Sequence, residues 1–337
     1  MAEKESKTPN PELEVNANVR KSSKSPFTIL LQKIGAGGFG SSVALVVLFV
    51  LASLISPYFL TTTNIFNLLR QISIYGFMSL GMTLVILSGG IDLSVGGVMT
   101  LSTLLSAVLT VQGHGPLVAI GLPIVMGGVF GLANGLIIAG FKVEPFVVTL
   151  GTQFVAFGLG FSLSGGKTIL PKIGPVLGFL AGGFIGPIPF PVIVMLATYG
   201  VFALIMGNTA FGRYIHALGG NEKAAQLCGI GVRRVKCGVY AISGALAGLA
   251  GVVLLSRSTV GDPTAGEAIV LIIIASVIVG GSHFSHGIGN VGFTLIGLLI
   301  LGILGNLLNM LGVVFYVQQI VQGLIVVVAV VLSTRTE

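Results

Sequence analysis

The feature that most limits the fold of this chain is a succession of apolar runs, each long enough to cross a lipid bilayer. A helix of about 20 apolar residues spans a hydrocarbon core of roughly 30 Å. Only 8% of the residues are charged, and the mean hydropathy is +1.04, a combination that excludes a water-soluble globular domain. The sequence therefore predicts an all-α polytopic membrane protein with about ten transmembrane helices. The runs lie near residues 43–60, 71–90, 94–112, 116–141, 145–164, 189–206, 237–256, 267–282, 288–308 and 314–333.

Polar residues divide the chain into a tail and a membrane domain. Residues 1–40 mix both signs of charge with proline and serine, a composition that predicts a disordered cytoplasmic tail. The first apolar run follows this tail and so begins too late in the sequence for a cleaved signal peptide. Residues 41–335 are predicted to form the transmembrane domain, with one long polar loop at 207–236.

The distribution of basic residues predicts the orientation, because lysine and arginine collect in cytoplasmic segments. If both termini lie in the cytoplasm, more lysine and arginine residues lie on the cytoplasmic side than outside. The cytoplasmic side still has more of them when the tail is left out. The cytoplasmic group is Lys4, Lys7, Arg20, Lys21, Lys24, Lys33, Lys142, Arg213, Lys223, Arg233, Arg234, Lys236 and Arg335, against Arg70, Lys167, Lys172 and Arg257 outside.

Glycines spaced four residues apart predict close contacts between helices. Small residues at this spacing allow the backbones of transmembrane helices to approach each other. The spacing occurs at Gly127, Gly131 and Gly135 and again at Gly244 and Gly248. We expect these glycines to serve helix packing, with a functional hinge as the less favoured interpretation.

A residue spacing that occurs twice in the sequence indicates two related halves. Asn134 and Gly140 in the fourth run have the same spacing as Asn306 and Gly312 in the ninth run. The two runs cross the membrane in opposite directions in the predicted topology. The repeated spacing therefore favours two halves of inverted topology, as in many transporters.

The loop at 207–236 contains the pattern of a short helix that docks on a partner. Asn221 suits the N-cap, Glu222 the first turn, and Gly229 the stop after a small apolar face that includes Ala225. Gly219 and Gly220 precede this helix. A helix so short is marginal alone in water, so a partner groove would stabilise it. A plain interfacial loop is the alternative.

Two long motifs are "GMTLVILSGGIDLSVGG" at Gly81–Gly97 and "GRYIHALGGNEKAAQLCGI" in the polar loop, and "FLTTTNIFNLLRQ" and "DPTAG" accompany them. Together, in this place and order, they resemble the ribose-type family of bacterial ATP-binding-cassette importer permeases for simple sugars. The resemblance covers roughly residues 43–333. It implies a permease that imports a monosaccharide, with a ribose-like pentose favoured, across the bacterial inner membrane.

The resemblance also implies partners and a division of labour. Permeases of this family pair with a second permease copy or a paralogue and receive sugar from an extracytoplasmic binding protein. A cytoplasmic ATPase subunit, carrying ATP and Mg²⁺, would act on the permease through Gly219–Gly229. The chain departs from the family pattern where Val270 and Ile272 occupy the positions of its usual acidic residues.

Asp92 is an isolated carboxylate in the motif "SGGIDLSVGG", where Gly89 and Gly90 predict a helix break near residues 88–94. Three interpretations compete. In the favoured one Asp92 caps a helix that begins near Leu93. In the second, Asp92 or Ser94 faces the translocation path and contacts sugar hydroxyls. In the third, Asp92 is a proton relay, which supports the alternative function of an ion-gradient-driven secondary transporter of a small polar solute.

Sequence patterns give no support for an enzyme or for a cofactor bound directly by this chain. "GAGGFG" at Gly35–Gly40 follows no predicted strand, so we do not expect a dinucleotide site there. His283 and His286 lack nearby cysteine or carboxylate partners, so no metal site is expected. Cys228 and Cys237 flank the basic loop and are expected to stay reduced in the cytoplasm.

Overall fold

The computed structural model describes residues 39–282 and 287–334. Within these residues the chain forms thirteen helices and one short β-hairpin. Most of the predicted tail, the histidines His283 and His286, and Arg335 lie outside the described residues. The helices are α1 (Phe39–Ile55), α2 (Thr62–Leu87), α3 (Val95–Val111), α4 (Pro116–Phe141), α5 (Pro145–Ser164), α6 (Pro175–Gly182), α7 (Phe190–Asn208), α8 (Ala210–Gly220), α9 (Glu222–Leu227), α10 (Val232–Ser258), α11 (Ile269–Val279), α12 (Val291–Met310) and α13 (Phe315–Thr334).

The all-helical, multi-span architecture predicted from the apolar runs is confirmed. Six helices, α2, α4, α5, α7, α10 and α12, are long and apolar enough to cross a membrane. Three further apolar helices are shorter, at Gly40–Ile55, α3 and α11. Each apolar run falls on a helix, but the count of ten crossings stays a prediction.

Two long helices, α2 and α10, form the interior of the bundle. In their most apolar windows, 78% of α2 and 67% of α10 are buried inside the protein. The corresponding values are only 22% for α4 and 17% for α5, whose remaining apolar surface is free to face lipid. Buried central helices surrounded by helices with exposed apolar surface are the arrangement expected of a protein embedded in a lipid bilayer.

The glycines spaced four residues apart bring α4 against α10. A Cβ atom at Gly131 would overlap the carbonyl oxygen of Tyr240, and one at Gly127 would overlap that of Gly244. Gly135 lies against Cys237 and Gly248 against Pro123 in the same way. Backbone therefore packs on backbone along this interface, the close approach that small residues permit.

The segment between α5 and α7 contains structure that the sequence patterns did not predict. Pro175 opens α6 at a first-turn position where its missing amide costs nothing. A two-stranded hairpin follows, with Phe184–Ile185 paired to Ile188–Pro189 through a turn at Gly186. The Arg70 guanidinium lies 4.8 Å from the centre of the Phe184 ring, which fastens the hairpin to α2.

Candidate functional site

The helix break predicted near residues 88–94 lies between α2, which ends at Leu87, and α3, which begins at Val95. Gly89 adopts a positive φ of 79°, a conformation that glycine reaches without steric cost. Gly90 lies directly against the hydroxyl group of Tyr240 on α10, so a side chain at this position would collide with it. The same hydroxyl donates a 3.2 Å hydrogen bond to the Ile91 carbonyl, which fixes the break to α10.

Asp92 is completely buried in this break and accepts hydrogen bonds from three donors. Its Oδ1 accepts from the Ser94 amide at 3.1 Å and the Ser94 hydroxyl at 2.5 Å, and its Oδ2 accepts from the Ser243 hydroxyl at 2.8 Å. The Asn134 side-chain amide donates to the Ser94 hydroxyl at 2.9 Å. The carboxylate therefore connects the break to α4 and α10.

The structure changes the detail of the capping interpretation. Helix α3 begins at Val95 rather than near Leu93, and Ser94, not Asp92, occupies its N-cap position. Asp92 instead closes a turn over the Ser94 amide, a local side-chain-to-backbone bond that aspartate favours. Its oxygens are occupied by protein donors, so the geometry fits a structural role better than a proton relay.

A matching turn occurs at Asp262, the first residue of "DPTAG". Asp262 Oδ1 accepts from the amide and the hydroxyl of Thr264, both at 2.8 Å. Both turns have the form Asp-x-Ser/Thr-x-Gly, and their glycines, Gly96 and Gly266, pack against each other. The repeated pattern was visible in the sequence and could have identified this second break.

Removal of the Asp92 carboxylate is expected to destabilise the protein strongly. Asp92→Ala leaves the Ser94 and Ser243 donors unsatisfied in a buried place, and each orphaned group costs about 1–3 kcal/mol. Asp92→Asn keeps an acceptor oxygen and should therefore lose less folding stability. Thermal unfolding of the purified variants in detergent measures the difference as a lower transition temperature for alanine than for asparagine.

Asp262→Ala is the matched control, because the same turn is only partly buried there and water can replace the lost bonds. We expect Asp262→Ala to lower the transition temperature less than Asp92→Ala does. Equal losses at Asp92 and Asp262 would show that burial of the network does not determine its contribution.

The polar loop contains the short helix that the sequence predicted, now α9. Asn221 Oδ1 accepts from the Ala224 amide at 2.9 Å, as an N-cap side chain does, and Gly229 follows with φ 83°. Ala225 is buried, whereas Leu227 is 89% exposed. The short helix therefore presents an apolar side chain on its outer face.

A second helix in the loop, α8, was not predicted. Gly219 and Gly220 lie directly before the N-cap of α9, and they are also the last two residues of α8. The Thr209 hydroxyl caps this helix by accepting from the Gly212 amide, and Ile215 and Leu218 are buried on one face. Ile215 and Leu218 are three residues apart in "AFGRYIHALGG", a spacing that places them on one face of a helix and could have predicted α8.

The end of helix α8 contacts α2 and the segment before α12. Gly219 lies so close to the Leu87 carbonyl and to Gly287 that a Cβ atom there would overlap both. The His216 ring donates through Nδ1 to the Gly287 carbonyl at 2.7 Å. The end of α8 is thus held between the end of α2 and the segment before α12.

A basic cleft opens between α9, the turn joining α4 to α5, and the start of α10, with a volume of about 730 Å³. Gly89 of the helix break also borders it. Its charged residues are Lys142, Glu144, Glu222, Lys223, Arg233, Arg234 and Lys236. All five of these cations belong to the group that the charge distribution assigned to the cytoplasm.

Two further sequence predictions concern uncharged residues. Val270, which occupies the position of a usual family acid, is 5% exposed and packs against Gly96. This chain therefore has an apolar contact where its resemblance suggests a carboxylate. Cys228 and Cys237 are both free thiols.

Comparison with known proteins gives a consistent result over almost the whole chain. The family model described as branched-chain amino acid transport system / permease component matches residues 64–330. A ribose import permease of Bacillus subtilis is 43% identical over 312 residues, which cover 92% of this chain and 95% of the relative. No solved structure gives a significant match.

Other curated relatives have similar coverage. A ribose import permease of Escherichia coli is 37% identical over 88% of this chain and 94% of the relative. A D-allose transport system permease of the same species is 36% identical over 93% of this chain and 95% of the relative. The similarity therefore includes both the helix break and the loop with α8 and α9.

Proposed function

The chain belongs to the family of permease components of the branched-chain amino acid transport system type, and from this membership we propose that it is the membrane subunit of an ATP-binding-cassette importer for a ribose-like monosaccharide. The observation that carries the proposal is 43% identity to a ribose import permease over 92% of the chain. Relatives described as ribose import permeases are 37–43% identical to this chain, against 36% for a D-allose permease and 32% for an L-arabinose permease. Ribose is the favoured sugar because the highest of these identities belong to ribose permeases.

Transport of this kind needs an energy source that the family supplies from another chain. We propose that α9 docks on a cytoplasmic ATPase subunit, which binds ATP and Mg²⁺. The exposed Leu227 provides the apolar anchor and Asn221 holds the helix in shape. An extracytoplasmic binding protein delivers the sugar, and a second copy of the permease or a paralogue completes the membrane assembly.

The proposed topology has two inverted halves and both termini in the cytoplasm of a bacterial cell, with about ten crossings of the inner membrane. Two observations support the division of the chain into two halves of inverted topology. The Asp92 and Asp262 turns have the same hydrogen-bond pattern, and Gly96 and Gly266 meet between them. The spacing from Asp92 to Asp262 nearly equals that from Asn134 to Asn306, as expected for one repeat.

Reconstitution tests the proposal directly. The permease is purified with its ATPase subunit, placed in liposomes with the binding protein outside, and assayed for uptake of labelled ribose with and without internal ATP. We expect uptake only with ATP, and weaker competition by arabinose and allose than by unlabelled ribose. Uptake that follows a proton or sodium gradient without ATP would overturn the importer and support the secondary transporter.

Leu227→Asp tests the docking of α9 in the same assay. Placing a charge on the exposed apolar anchor should reduce ATPase binding at least tenfold, because central apolar contacts dominate interface energies. The matched control is Leu170→Asp, an equally drastic change at an exposed leucine in the loop before α6. Equal ATPase binding by both variants would contradict docking through α9.

A further inference from the structure

The basic cleft beside α9 has a charge balance that the protein itself does not neutralise. Among the described residues its one ion pair joins Lys236 to Glu222 at 2.6 Å. Four cations then face a single carboxylate, Glu144. These cations are Lys142, Lys223, Arg233 and Arg234, none of which forms an ion pair within the described part of the chain.

Lys142 contributes a second, independent observation. It ends α4 in the left-handed conformation with φ 55°, where glycine or asparagine is the usual residue. A residue with a Cβ atom costs about 1–2 kcal/mol in this conformation. The cleft therefore keeps a charged side chain at a backbone position that disfavours it, as strained residues at functional sites often do.

The geometry distinguishes this cleft from a patch on a flat surface. One side is lined by Glu222, Lys223 and Gln226 of α9, and another by the α4–α5 turn. The inner wall contains Ile138 and Gly89. A chain segment that enters beside α9 would meet cations on both sides and reach the helix break.

We propose that this cleft receives an acidic segment of the ATPase subunit, so that the α4–α5 turn around Lys142 is a second docking element beside α9. The inference rests on the proposed function, which supplies the partner. Opposite charge selects the segment and speeds its encounter, because electrostatic complementarity acts on specificity and association rate. Contact with the turn would also connect the ATPase to α4 and, through Gly89, to the break.

The test is the affinity of the purified ATPase subunit for the full-length permease in nanodiscs of neutral lipid. Lys142→Glu combined with Arg234→Glu should weaken binding about tenfold or more at low salt, and the deficit should shrink at high salt as screening grows. The control, Lys167→Glu with Lys172→Glu, makes the same charge change in the loop before α6 and should bind normally. Both pairs replace exposed side chains, so unfolding temperatures should stay the same.

The outcomes separate this inference from the function on which it rests. A wild-type permease that binds no ATPase subunit would overturn the proposed function. Normal ATPase binding by the Lys142 and Arg234 variant, together with loss of binding by Leu227→Asp, would overturn the cleft alone. A deficit that appears only in nanodiscs of anionic lipid would show that the cations bind lipid headgroups, which also overturns the docking of an ATPase segment.

Discussion

Replacing Gly219 with alanine is expected to abolish sugar uptake while the ATPase subunit still binds and hydrolyses ATP. The added Cβ atom would overlap the Leu87 carbonyl and Gly287, both of which are backbone and cannot rotate away. The end of α8 would have to leave its place between α2 and the segment before α12. Helix α9, the proposed docking surface, would keep its cap at Asn221.

The measurement compares ATP hydrolysis with labelled ribose uptake in the same proteoliposomes. We expect uptake to fall at least tenfold with hydrolysis largely retained, which is the signature of an uncoupled transporter. Gly207→Ala is the matched control, since a Cβ atom on that exposed face of α7 would meet open space. Parallel loss of hydrolysis and uptake would instead mean that Gly219 maintains the docking surface itself.

The reason for this prediction is a division of the loop into two functional faces. Helix α9 presents Leu227 outward, whereas α8 buries Ile215 and Leu218 inward. The His216 hydrogen bond to Gly287 and the contact of Gly219 with Leu87 lie on the inward face. These inward contacts are one packed route by which a movement imposed on α9 can reach the helix break, because energetic coupling passes through packed elements between the sites.

Local sequence signals were sufficient for the elements that local chemistry determines. The glycines before Asp92 interrupt a long apolar run, and the structure has a break there. Asn221 and Gly229 suit opposite ends of a short helix, and α9 lies between them. Helix α8 was missed, although the apolar spacing of Ile215 and Leu218 and the glycine pair at its end are local signals for it.

Contacts between remote segments could not be predicted from the sequence pattern. The bond from Tyr240 to the Ile91 carbonyl and the contact of Gly96 with Gly266 join residues more than 100 positions apart. Such pairs depend on how α2, α3 and α10 pack in three dimensions. The repeated Asp-x-Ser/Thr-x-Gly pattern is a partial exception, because two turns with the same hydrogen-bond pattern leave a signal in the sequence itself.

Replacing Gly131 with alanine is expected to cause a large loss of folding stability. A Cβ atom there would overlap the Tyr240 carbonyl, so α4 and α10 must separate at their closest approach. Overpacking of this kind costs about 1–3 kcal/mol. A shift of α4 would also stretch the bond from Asn134 on α4 to Ser94 at the start of α3, which supports the Asp92 network.

Gly140→Ala supplies the comparison that isolates packing from helix propensity, because Gly140 lies on α4 but a Cβ atom there meets no neighbour. Alanine favours a helix over glycine by about 1 kcal/mol, so this variant should be as stable as the wild type or slightly more stable. Thermal unfolding in detergent should therefore give opposite shifts for two identical substitutions on one helix. Similar transition temperatures for both variants would mean that the glycine spacing on α4 does not hold it against α10.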